Sequence, residues 1–99
     1  MGSFDTNATI KLIAHYAVEI IKYRDQEDSQ DMIFCVGLLH GHLFALSLQS
    51  IDIKKICVEA CKLIDKNNEI IKVIMATYED VKNRNDQILG AMLIHDALR

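Results

Sequence analysis

Ninety-nine residues (11.3 kDa) hold one hydrophobic core, so the chain reads as a single domain, residues 1–99. With 51% hydrophobic and 25% charged residues it is not a disordered tail, and a net charge of −3 leaves no basic field to hold nucleic acid or an anionic membrane surface. The absence of proline and a total of four glycines exclude hairpin-rich β architectures and the usual phosphate-cradling loops, and point to helix.

No charged-then-apolar leader with a small-residue cleavage site follows residues 1–3. Asp5 or Thr6 can cap a first helix that carries Ile10, Ile13, Ala14, Ala17, Val18, Ile20 and Ile21 at spacings of three and four, ending near Tyr23 or Arg24. Residues 24–31 (RDQEDSQD) hold four carboxylates and nothing apolar, so they read as a loop leading to a cap at Asp28 or Ser29.

From Met32 to Leu48 the chain is apolar nearly all round, which places this helix at the centre of the fold. Its 17 residues fall short of the roughly 20 a bilayer needs, and two histidines and an acidic flank add to the cost, so no membrane span is expected. Gly37 and Gly41, four apart on one face, suit tight packing against another helix of the same chain better than a dimer seam.

Asp52 can cap a third helix from Ile53 to about Asp65, with Ile53, Ile56, Cys57, Ala60, Cys61 and Ile64 on one face. Residues 65–69 read as a turn or a kink, with Asn68 as the expected next cap. Beyond it Ile71, Ile74, Tyr78, Val81, Asn85, Ile88, Met92 and His95 alternate at three and four. One long helix or two in near-register would satisfy that seam; Asn83, Asn85 and Asp86 mark the expected break, and Asn85 reads as a cap there before it reads as a register-setting buried amide. The fold expected is an all-α single bundle of four to five helices around the apolar helix from Met32 to Leu48.

Catalytic apparatus is not visible. His40 and His42 are two apart, pointing about 200° from each other on a helix, so they do not share an ion as an i, i+4 pair would. Cys57 and Cys61 could hold two corners of a zinc site, but paired clusters are missing. All three cysteines sit on apolar faces, Glu79 and Asp80 are adjacent and do not face each other, and no nucleophile elbow, zinc-protease helix, Walker loop or dinucleotide fingerprint occurs. Asn7-Ala8-Thr9 matches a glycosylation acceptor, a pattern short enough to arise by chance. No enzyme activity, no metal and no cofactor are expected.

Four segments in order resemble one known family. Cys35-Val-Gly-Leu-Leu-His-Gly41 is similar to a cysteine followed by a large apolar pair and a glycine; Phe4-Asp-Thr-Asn-Ala-Thr-Ile-Lys-Leu12 looks like the family's opening helix. Ile56-Cys57-Val58 sits where a second cysteine falls, and Ala91-Met-Leu-Ile-His-Asp-Ala-Leu98 looks like its closing helix. The family is the Rap/Tai-type immunity proteins, small helical periplasmic proteins that neutralise peptidoglycan amidase effectors of type VI secretion. The resemblance implies a non-enzymatic protein that binds and occludes a secreted cell-wall amidase, in the periplasm after loss of a signal peptide that this sequence does not contain. The second and third helices, joined by a short loop, are expected to pack antiparallel, which leaves Cys57 and Cys61 both open as partners of Cys35; the resemblance implies a Cys35–Cys57 disulfide.

Two polar loops could enter a partner's cleft: the acidic residues 24–31, and the more rigid turn with Lys66, Asn67, Asn68 and Glu69, which is favoured because it loses less entropy on binding. The other reading is a cytosolic helical adaptor or dimeric regulator that acts through the apolar seam from Ile71 to His95, a homodimer being one form of it.

Overall fold

A computed structural model describes residues 5–64 and 67–97, with side chains up to Arg84. Among them the chain forms four helices and an all-α bundle: α1 (Thr6–Asp25), α2 (Ser29–Leu48), α3 (Ile53–Ile64) and α4 (Asn68–Ala97).

Each helix begins on a short acidic or amide side chain that accepts from the amide three residues on. Asp5 accepts from Ala8 (3.0 Å), Asp28 from Asp31 (3.1 Å), Asp52 from Lys55 (3.2 Å) and Asn67 from Ile70 (3.3 Å), so each helix has one orphan N–H satisfied locally. The last of these corrects the expectation that Asn68 caps α4: Asn68 is its first helical residue.

With no proline and no glycine at the turns, the helices stop by backbone geometry. Glu27 takes a left-handed φ of 58°, its amide bonding the Arg24 carbonyl (3.0 Å) while the Asp28 amide reaches the Tyr23 carbonyl (2.9 Å). That is a Schellman closure, and Asp28 ends α1 with its N–H while opening α2 with its carboxylate. The turn after α2 repeats it: Ser50 has φ 61°, and the amides of Ser50 and Ile51 bond Ser47 and Leu46. The loop expected over 24–31 therefore shrinks to residues 26–28, with Arg24 and Asp25 in α1 and Ser29 to Asp31 in α2.

The core comprises Ile13, Ala14, Ala17 and Ile20 of α1; Cys35, Leu39, Leu43 and Leu46 of α2; Ile53, Ile56, Cys57 and Ala60 of α3; and Ile70, Ile74, Tyr78 and Val81 of α4. Each large aliphatic side chain fully removed from water here stabilises the fold by about 1.5–3 kcal/mol.

The hub is α1, not α2. The first helix packs on all three others, most extensively on α2, whereas α2 and α3 hardly touch. Only one face of α2 is in the core; Ile33, Phe34, Val36, Leu38 and Leu48 are exposed, Phe34 to 66%. A chain of this size lacks the helices to cover a 20-residue helix all round. At 20 residues α2 is also long and apolar enough, by length and composition, to cross a bilayer, so the expected shortness no longer argues against a span.

The break at Asn83–Asp86 is absent: α4 runs unbroken through it. Ile74, Tyr78 and Val81 of the apolar seam are buried in the chain's own core and Ile71 is half-buried, which takes that half of the seam out of reach of a partner. Asn85, Ile88, Met92 and His95 lie outside the described side chains.

Replacing Asn67 with alanine should lower unfolding stability by about 1 kcal/mol, the usual cost of a lost N-cap, while Asn68→Ala should change it much less. Urea denaturation followed by circular dichroism measures both.

Candidate functional site

The two polar turns singled out in the sequence meet at one end of the bundle. Arg24, in the last turn of α1, donates from Nη2 to Glu69 Oε2 in the first turn of α4 (2.8 Å), and from Nη2 and Nε to Asp25 Oδ1 (2.8 and 3.1 Å). One guanidinium thus joins residues 45 apart in the chain. The hydrogen bond to Glu69 and then that to Asp25 hold Arg24 above its already high ordinary pKa.

Beside this clamp stand Glu27, Asp28 and Asp31, giving that end an excess of negative charge. The Asp31 carboxyl is raised, first by its hydrogen bond with Asp28 and then by that neighbour's charge. Tyr23 is likewise raised, mainly by the charge of Glu19. Of the four residues predicted to bind a partner, Glu69 and Asn68 are exposed on the first turn of α4; Asn67 is exposed but committed to capping; Lys66 lies outside the described residues. Asn67→Ala therefore removes the cap of α4 along with any contact, whereas Asn68 and Glu69 sit in its first turn without capping it.

The cysteines correct the expected bridge: Cys35, Cys57 and Cys61 are all free thiols. Cys35 lies by the C-terminal half of α1, where the charges of Glu19 and Asp31 reach it after burial in raising its pKa. By contrast α3 lies along the beginning of α1, where Ile10 shares hollows with Ile56 and Glu59. From Ile10 to Glu19 the helix rises about 13 Å. A disulfide needs Cα atoms within roughly 7 Å, and this difference in level along α1 fits the unbridged thiols of Cys35 and Cys57.

Nor do the thiols resemble nucleophiles. Burial, and then the charge of Cys61, pushes Cys57 from 9.0 up to about 12, and burial raises Cys61 as well. His40 and His42 diverge: His40 Nε2 lies 2.8 Å from Asp80 Oδ2 of α4 without hydrogen-bond alignment, whereas the His42 ring faces Tyr16 of α1 at 6.2 Å. Among the described residues no three of His, Cys, Asp and Glu gather as a metal site. Three shallow hollows in the described surface are lined without a cysteine or histidine.

The geometry missed by the sequence reading is the Arg24–Glu69 clamp. Its only trace there is an arginine at the end of one amphipathic helix and an acid at the start of another.

The Cys57 thiol sets a pH dependence. In the unfolded chain it ionises near its ordinary 9.0 and in the folded chain near 12, so the unfolded state loses the proton first. Its contribution is complete below pH 9, and stability falls as pH rises from there toward 12. The melting temperature should drop across that range, and less steeply in Cys57→Ala; a thermal series by circular dichroism from pH 8 to pH 11 shows the difference.

Against known proteins, no family model, no curated protein and no solved structure matches this chain.

Proposed function

We propose that the chain is a non-catalytic binding protein that meets its partner with the acidic end of the bundle, and that the partner is a secreted peptidoglycan amidase whose cleft it occludes. The observation that carries the surface is the Arg24–Glu69 hydrogen bond, which turns two separate polar turns into one braced patch. A braced patch loses little entropy on docking, and five carboxylates around one arginine, Asp25, Glu27, Asp28, Asp31 and Glu69, steer it toward a basic rim. The amidase as partner, and the periplasm as the place of action, rest on the resemblance of the segments around Cys35, Cys57 and Ala91.

Mixing the purified chain with the amidase encoded beside its gene should abolish peptidoglycan hydrolysis near a one-to-one ratio. The pair Arg24→Ala and Glu69→Ala should weaken inhibition at least tenfold with helicity unchanged, since exposed ion pairs add little to stability. Undiminished inhibition by these variants discards the patch. Failure to inhibit the amidase at all discards the immunity reading, and fractionation of the full gene product tests the periplasmic placement independently.

A further inference from the structure

Among the described residues nothing covers the exposed face of α2. Phe34, Gly37, Gly41, Ala45 and Leu48 follow one another at spacings of three and four and are all open to solvent, with Leu38 and Ile33 flanking them. A Cβ added at Gly37 or Gly41 would meet nothing within 4 Å. Neither glycine is required by packing among the described residues, although glycine is a weaker helix former than alanine.

The stripe is symmetric about Gly41. Seven residues before it stands Phe34 and seven after it Leu48; four before stands Gly37 and four after Ala45; three before stands Leu38 and three after the half-buried Phe44. Bulk, small, glycine, small, bulk is the order that an antiparallel copy of the same helix matches: large ends fall opposite large ends, and the small middle lets the backbones approach. A two-fold axis near Gly41 makes that contact isologous and closed.

We infer that two copies of this chain pair through α2, antiparallel, with the axis passing near Gly41. Charge favours this occupant. At one end of α2 lie Asp25, Glu27, Asp28 and Asp31, and at the other Lys54, Lys82 and Asp52 line a hollow with Ser47, two cations to one carboxylate. An antiparallel pair sets the acidic end of each copy against the lysine end of the other. The same acidic end repels an anionic lipid surface, and a spanning helix would have to withdraw Cys35, Leu39, Leu43 and Leu46 from the core. The extent of the face also fits: Ile33, Phe34 and Leu48 are 64%, 66% and 65% exposed, a contiguous apolar patch of the kind that marks a protein interface. The pairing does not rest on the amidase reading.

Sedimentation equilibrium of the intact chain, from micromolar to hundred-micromolar concentration, should show a monomer–dimer equilibrium. Gly41→Leu is the discriminating variant: the open Cβ site lets it raise the melting temperature of the monomer while weakening the dimer at least tenfold, and Phe34→Glu should also abolish pairing with helicity retained. Under mild oxidation Gly41→Cys should cross-link to itself, and Phe34→Cys should cross-link to Leu48→Cys in a mixture but not to itself. A chain that stays monomeric throughout, a Gly41→Leu variant that pairs as well as the original, self-cross-linking of Phe34→Cys, or co-sedimentation with phosphatidylcholine vesicles in place of pairing would each overturn the inference.

Discussion

Everything in this bundle depends on how closely other helices can approach α1. Its buried stripe alternates bulk with near absence of it: Ile13 and Ile20 bracket Ala14 and Ala17. The alanines give backbone proximity, and the isoleucines fill the space on either side, so that α2, α3 and α4 each reach the same helix. Enlarging Ala17, which has no exposed surface, would push at least one partner away, because interiors at this density lack spare volume. The weak contact between α2 and α3 follows directly, since both are held by α1 and not by each other.

The starts of the first three helices are legible because capping is local, whereas the cap of α4 falls on Asn67, one residue before the expected Asn68. A carboxylate or amide directly before an apolar period carries its own chemistry, and Asp5, Asp28 and Asp52 act as the sequence indicates. Tertiary placement was not legible in the same way. The composition of α2 suggests burial on all sides, but composition does not count the neighbours available, and three other helices leave one side of it bare. Asn83 and Arg84 lie inside α4 because an asparagine costs a helix only a few tenths of a kcal/mol to somewhat more, less than breaking the hydrogen-bond ladder.

At the candidate site the same division holds. Sequence distinguishes the polar turns as candidate contact regions by composition alone, but that Arg24 spans to Glu69 depends on α1 and α4 ending and beginning at one level, a property of the whole packing arrangement. The pairing of Cys35 with Cys57 failed for a related reason: chain order fixes which helices are adjacent in sequence, while a disulfide depends on height along the bundle and on rotation about each axis.

The turn at Asp28 also has a kinetic meaning. One residue closes α1 and opens α2, so the two helices with the most extensive mutual contact are separated by the shortest possible excursion of chain. Contacts of such low sequence separation have the least loop-closure entropy against them and form earliest. The α1–α2 hairpin is thus the expected folding nucleus, with α3 and α4 condensing on it afterwards. In that order of events Glu27, held at a left-handed φ of 58°, acts on the speed of folding, whereas the core side chains of α4 act on how long the folded state lasts.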